Sequence, residues 1–218
     1  MIRRPLAARR VLVVAPHPDD EAIGAWALMR QLGRRGARVE VMVVTDGAGS
    51  HPGSCSWPPA RLAVERRRET LRAMATLAIP PSRIRFLALP DGGLETCSIR
   101  LMHAVGRALR QRAVPDLMIG PVADDAHADH RAVAAALARI PRRGERRLGY
   151  RVWPERAGRS GRGLRIALDS RSLCLKRRLV RSYRTQGGMI ADAEAGFAMT
   201  ARHIRCFVRP HEHFEVMA

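Results

Sequence analysis

Val11-Leu12-Val13-Val14-Ala15, broken off by Pro16-His17-Pro18-Asp19-Asp20-Glu21, is an uninterrupted apolar run rich in β-branched residues. A strand with one wet face alternates polar and apolar side chains. A run without alternation belongs to a strand covered on both faces, as in a parallel sheet. Next in the chain, Glu21–Arg35 carries apolar residues at helical spacing (Ile23, Trp26, Ala27, Met29 and Leu32) and stops at Gly36. Val39–Thr45 is a second strand ending in the turn-forming Asp46-Gly47, and Pro59–Leu77 is an Arg/Glu-rich amphipathic helix closed by Pro80-Pro81. Ile84–Leu89 is a third strand and runs into Pro90-Asp91-Gly92-Gly93. Ile99–Gln111 reads as helix, Asp116–Gly120 as a fourth strand and Asp129–Arg139 as helix. The alternation predicts an α/β fold: a Rossmann-like, doubly wound, mostly parallel sheet with helices on both faces.

Past Pro141 the pattern loosens. Leu148–Trp153 and Leu164–Leu168 read as two strands around a Gly/Arg-rich loop, residues 155–163, a hairpin-like excursion near the site. Ser170–Arg184 is a basic amphipathic helix, and His213–Met217 is expected to be a short edge strand. With no internal repeat and no low-complexity linker, residues 1–218 are expected to form one domain.

Composition narrows the function classes. The net charge is +19, carried by 38 arginines and a single lysine, Lys176. Such a charge invites a polyanion partner. The arginines, however, are spread through helices and loops, and aromatic residues make up only 4% of the chain, too few for stacking platforms. A dedicated nucleic-acid partner is therefore not expected. A hydrophobic content of 46% excludes a disordered basic tail. Cys55, Cys97, Cys174 and Cys206 lie far apart with no C-x-x-C pair, which opposes a zinc ribbon and a dense disulfide scaffold. The apolar run near the start is too short for a signal-peptide core, and no stretch approaches the roughly 20 apolar residues of a membrane span. The expectation is a cytoplasmic protein without a transmembrane segment.

In doubly wound sheets the ligand crevice lies beyond the carboxyl ends of the strands. The first strand end carries His17, Asp19, Asp20 and Glu21, the second Asp46-Gly47, and the fourth Asp124-Asp125-Ala126-His127-Ala128-Asp129-His130. Taken singly, these features have ordinary explanations. An aspartate caps a helix, a glutamate suits its first turn, and a histidine is usually just polar. That account leaves His17 unexplained, held as it is between two prolines that restrict where its ring points. Adjacent Asp19 and Asp20 project in different directions and can serve two jobs, one toward a metal and one toward a reactant. His127 and His130 lie three apart and share a face at a helix start, which suits two ligands or a ligand and a proton donor. Two histidines and one carboxylate leave zinc a fourth position for water, as a catalytic site requires.

In order, A-P-H-P-D-D-E, T-D-G, R-R-R-E with L-P-D-G-G-L, and H-A-D-H resemble the PIG-L/LmbE family of zinc-dependent N-deacetylases. That family includes deacetylases of N-acetylglucosaminyl-phosphatidylinositol, of the mycothiol precursor and of glycopeptide-antibiotic sugars. The resemblance runs through Val11–Arg139. It implies that His17, Asp20 and His130 hold Zn2+ (Fe2+ suits the same ligand set) and that Asp19 is the general base. It further implies that His127, protonated, steadies the oxyanion, with Asp129 orienting it and favouring its cationic form. Arg66 matches a position that contacts the substrate's polar head group, and Asp91 lies near the sugar pocket. A weaker segment, Lys176 with Tyr183-Arg184-Thr185-Gln186, is similar to the family's K…H-R-S-Q and departs from it at Tyr183 and Thr185.

The implied activity is removal of an N-acetyl group from an N-acetylglucosamine-type conjugate by zinc-activated water, the partner being a small-molecule or lipid-linked amino sugar. Two other classes stay open. One is hydrolysis of a different amide or acyl compound on the same metal site. The other is a basic module for nucleic acid or anionic surfaces, whose binding would be steeply salt-dependent and indifferent to metal. Outside the motifs the bland readings hold: Arg67 and Arg68 as a solvated helix face, Asp46 as a turn former, Trp57 as a loop anchor.

Overall fold

The computed structural model describes residues 7–111, 113–153 and 163–217. Strand β1 (Arg10–Ala15) leads through the His17 turn into two short helices, α1 (Asp20–Gly24) and α2 (Trp26–Arg34). Then come β2 (Arg38–Thr45), α3 (Pro59–Ala75), β3 (Ile84–Leu89), α4 (Ser98–Arg110), β4 (Leu117–Pro121), α5 (Ala128–Arg139) and β5 (Arg146–Tyr150). The remainder is β6 (Gly163–Ala167), α6 (Ser170–Arg181), α7 (Ala201–Phe207) and β7 (His211–Val216). The strands form one seven-stranded sheet in the order β3-β2-β1-β4-β5-β7-β6, parallel from β3 to β5. The α/β, mostly parallel architecture expected from the apolar runs is the one observed.

The opening run does what its composition requires. Val11, Val13 and Ala15 face one layer, with Trp26, Leu32, Met74 and Leu179. Leu12 and Val14 face the other, with Leu101, Val105, Val133 and Leu137. All five are buried, each branched side chain contributing about 1.5–3 kcal/mol of burial free energy. The strand order reverses between β1 and β4, and the carboxyl ends of those two strands carry the His17 and His127 clusters. The topological switch point therefore brings together residues more than a hundred positions apart.

Three expectations need correction. Glu21–Arg35 is two helices, broken at Ala25 (φ −137°, ψ 10°). The break is held from the far end of the chain: Glu212 accepts the N–H groups of Ala27 (2.9 Å) and Leu28 (3.2 Å), capping α2. Buried Lys176 neutralises that carboxylate at 2.6 Å and takes the Ile23 carbonyl, an orphan acceptor at the end of α1, at 2.7 Å. Second, β5 and β6 do not form a hairpin, because β7 lies between them, antiparallel to both. Third, the segment expected at the edge is therefore interior, and β6 is the edge strand. The alternation Glu212, Phe214 inward and His211, His213 outward explains the placement, since Phe214 is buried opposite both Tyr150 and Leu164. The Gly/Arg-rich loop lies outside the described residues except for Gly163. Among the described residues, no helix is long and apolar enough to cross a membrane.

Candidate metal centre and active site

After β1 the chain folds back so that the His17 N–H donates to Asp20 Oδ2 (2.8 Å). Asp19, between them, takes φ 128°, a backbone region that residues with side chains rarely adopt. Such a conformation costs about 1–3 kcal/mol and persists only where neighbours over-determine it. Its N–H donates to Glu21 Oε2 (3.1 Å), its carbonyl accepts from Ala22 and Ile23 (both 2.9 Å), and its carboxylate meets Arg66 at 3.1 Å. The strained turn thereby sends Asp20 toward the histidines and Asp19 toward Arg66.

The other half comes from the start of α5. His127 is its N-cap and accepts the Asp129 N–H on Nδ1 (3.2 Å). His130, one turn on, is fully buried. His17 Nδ1, Asp20 Oδ2 and His130 Nε2 close a triangle with edges of 3.2, 3.1 and 3.3 Å. Three ligands of a tetrahedral zinc with bonds of about 2.0–2.1 Å stand about 3.3 Å apart, so this donor set fits such an ion. A ring nitrogen of His127 lies within 4.8 Å of nitrogens on both other rings, beside the triangle rather than in it.

On its other side, His17 Nε2 meets two carboxylates, Asp91 Oδ1 and Asp129 Oδ2, both at 3.1 Å. Asp129 also accepts the N–H groups of Gly92 (2.9 Å) and Leu94 (3.0 Å), and Asp91 that of Gly49 (3.0 Å). Three loops therefore meet at one imidazole, and a fourth, through Gly49, holds Asp91. The Asp129 carboxylate bonds His17, while its backbone N–H bonds His127 and its charge pulls the pKa of that ring upward. Asp91, expected near a sugar pocket, ends with its buried side chain on His17 and Gly49.

Electrostatics follows from this crowd of acids. Burial opposes charge on the imidazoles, yet the facing carboxylates prevail, pushing His130 up to about 9 and His17 well above its ordinary value. Burial likewise opposes the Asp20 carboxylate, but the charge and hydrogen bond of His130, with His17, hold it far below the usual range. The pocket thus recruits positive charge, supplied by protons or by a cation that displaces them. Asp19 goes the other way: burial raises it to about 8 against the pull of Arg66. His127 lies below its ordinary value through burial and the charges of His17 and His130. Its Nδ1 accepts a backbone N–H, an arrangement that suits a ring hydrogen on Nε2.

Of the three consecutive arginines in α3, only Arg66 is buried. Beyond Asp19, it donates to the carbonyls of Pro18 (2.5 Å) and Gly47 (3.3 Å). Gly47 is at φ 70°, and a Cβ there would stand 2.8 Å from Arg66 Cδ, so the T-D-G turn needs its glycine. Arg67 lies over Phe86 and Arg68 beside Glu65, both exposed. Asp46 accepts the Ala48 N–H, shaping its turn, and Trp57 lies under Arg61 at 4.1 Å. One turn after Arg66, Glu69 takes both the N–H (2.9 Å) and hydroxyl (2.5 Å) of Thr185, while Tyr183 donates to Glu21 Oε1 at 2.5 Å. The two departures from the K…H-R-S-Q pattern are therefore both bonded to buried acids behind the site.

Sequence reasoning missed Asp125. Its side chain is fully buried, accepts the His127 N–H (3.0 Å) and lies 3.4 Å from His130 Nδ1. The signal was present: an aspartate two residues before a helix cap commonly bonds the backbone two positions on.

With this geometry in place, comparison with known proteins is informative. The family model PIG-L, described as GlcNAc-PI de-N-acetylase, matches residues 12–140. The 1D-myo-inositol 2-acetamido-2-deoxy-alpha-D-glucopyranoside deacetylase of Kineococcus radiotolerans is 34% identical over 137 residues, 62% of this chain and 36% of that protein. The 2'-N-acetylparomamine deacetylase of Streptomyces fradiae is 31% identical over 157 residues, 62% of this chain and 53% of that one. The chain thus spans about a third to a half of these relatives. Among solved structures, the N,N'-diacetylchitobiose deacetylase from Pyrococcus horikoshii superposes with a TM-score of 0.72 at 20% identity. The match covers 96% of this chain and 84% of that one, a likeness of fold.

Proposed function

The chain belongs to the PIG-L family, and from that premise we propose that it is a metal-dependent N-deacetylase acting on an N-acetylglucosamine-type amino-sugar conjugate. The observation that carries the reading is the His17–Asp20–His130 triangle, with Asp19 and His127 on its flanks. These three donors would hold Zn2+, or Fe2+ in the same set. When bound, the ion supplies Lewis acidity that brings the pKa of its water toward about 7.

The remaining chemistry belongs to the chain. Asp19, in its ionised form, takes a proton from the attacking water and returns it to the leaving amine. Arg66 anchors that carboxylate in place. His127, neutral and capped on Nδ1, donates its Nε2–H to the acetyl oxygen as charge builds there, without first having to be protonated. Asp91 and Asp129 orient His17 through its far nitrogen, as outer carboxylates do for metal-bound histidines. Arg66, buried as it is, would reach a substrate only through the guanidinium edge that Asp19 leaves free.

The reading includes one domain over residues 1–218, supported by a sheet that takes strands from both halves of the chain. A cytoplasmic location is supported by four free cysteines. The partner is a small-molecule or lipid-linked sugar rather than nucleic acid. Acetate release across N-acetylglucosamine conjugates, with added zinc and after chelation, tests the whole. We expect turnover that a chelator abolishes and zinc restores. A blank on every amino sugar, with turnover of another amide, would move the assignment to the second hydrolase class.

A further inference from the structure

Asp125 lies between the two histidines of the α5 start, and its four contacts divide neatly. Oδ1 accepts the N–H of His127 (3.0 Å). Oδ2 accepts the N–H groups of Val152 (3.0 Å) and Trp153 (3.3 Å), just past the end of β5, and faces His130 Nδ1 at 3.4 Å. Neither Asp125 nor His130 exposes any side-chain surface. One carboxylate therefore touches the backbone of the residue beside the metal triangle, the far nitrogen of a residue in it, and the neighbouring strand.

We propose that Asp125 is a positioning residue with two separable effects: it fixes the His130 ring through Nδ1 and places the His127 ring through its backbone. The inference rests on the reading of His17, Asp20 and His130 as the metal ligands. An imidazole that presents Nε2 to a metal carries its hydrogen on Nδ1, and that hydrogen needs an acceptor when the ring is buried. Asp125 Oδ2 stands 3.4 Å from His130 Nδ1, which has no hydrogen-bond partner elsewhere among the described residues. The His127 contact acts on a different quantity. His127 begins α5 at φ −81°, ψ 130°, and its ring direction depends on where that backbone turns. The Oδ1 bond sets the turn from one side, while the Asp129 N–H holds the ring from the other. A loop-closing role alone would involve neither ring.

The two effects come apart by substitution. Asp125→Ala removes both. Zinc affinity, measured on the apo protein by competition with a chromophoric chelator, should weaken about 10–100-fold, and kcat should fall with KM within about twofold. Asp125→Asn keeps one oxygen, which goes to the side with three donors, and turns its NH2 toward the His127 N–H. Zinc affinity should then return to within about threefold of wild type while kcat stays low. Histidine 15N shifts of the zinc-loaded wild type should show the His130 hydrogen on Nδ1. Should Asp125→Ala fail to fold, Asp125→Asn and the wild-type spectrum decide alone. The proposal is overturned if a folded variant lowers only the melting temperature, with zinc affinity and kcat unchanged, or if His130 carries its hydrogen on Nε2. His130→Ala separates this from the underlying reading. If that variant also binds zinc normally, the ligand assignment itself is wrong; if it loses zinc while both Asp125 variants match wild type, only the inference on Asp125 fails.

Discussion

Asp19 concentrates the chemistry at the scale of single residues. Its positive φ, its salt bridge to Arg66 and its raised pKa are one arrangement, in which strain in the backbone turns a carboxylate away from the His17–Asp20–His130 triangle and toward Arg66. Asp19→Asn keeps the shape and removes the proton acceptor. We expect zinc content by elemental analysis to stay stoichiometric while kcat drops about 10²–10⁴-fold; a kcat near wild type would remove Asp19 from the mechanism. The proposed site residues His17, Asp20, His127 and His130 are legible in sequence because ligands and bases must be particular residue types at particular spacings. The partner of Asp129 is not. Whether a carboxylate meets His127, two residues before it, or His17, 112 before it, is decided by side-chain directions at the start of α5, which spacing does not contain.

Among elements, the lesson lies in α1 and α2. Helical periodicity over Glu21–Arg35 is real, and β1 to α5 fall within a few residues of their expected bounds because a central parallel strand announces itself by composition. The break at Ala25 is invisible because its cap, Glu212, is almost 190 residues away and its counter-charge, Lys176, lies on a third element. Lys176→Met should therefore cost about 3–5 kcal/mol, the penalty for stranding one partner of a buried pair. Lys176→Met with Glu212→Gln should recover part of it, both read as denaturant midpoints. If the single variant is as stable as wild type, the pair is not holding these helices. A second element-scale prediction concerns Asp192, which ties the Ser54–Ser56 loop to the C-terminal segment. Hydrogen bonds from the Ser56 N–H and the Ser54 and Ser56 hydroxyls lower its pKa to about 2. A depressed carboxylate stabilises the fold fully above its unfolded value of about 3.9. That tether should accordingly weaken as pH falls from about 4 toward 2. Amide exchange at Ser56 should rise over that window in wild type and already be fast at pH 5 in Asp192→Ala.

For the molecule as a whole, the +19 charge and the acidic centre act on different events. The proposed catalytic groups are drawn mainly from the minority acids and histidines, whereas exposed arginines would act on a charged substrate over about a Debye length. If the rim steers the substrate, kcat/KM for a phosphorylated or lipid-phosphate-linked amino sugar should fall as salt rises from about 50 to 300 mM. The same constant for a neutral N-acetylglucosamine conjugate should stay flat. Parallel salt curves for the two substrates would leave the charge without a role in capture.

The position of β7 also sets a timetable. During synthesis β5 emerges with one edge bare, and the strand that covers it comes only after β6, α6 and α7 have been made. Until then the chain offers an open parallel edge to any neighbour, the kind of surface from which misassembly starts. Glu212 rides on that same strand, so the helix pair behind the His17 turn receives its last fastening roughly ten to forty seconds after the turn itself leaves the ribosome, at about 5–20 residues per second. The His17 turn is thus made well before the strand that locks it. A metal offered before β7 is made would meet the proposed ligands before their scaffold had closed.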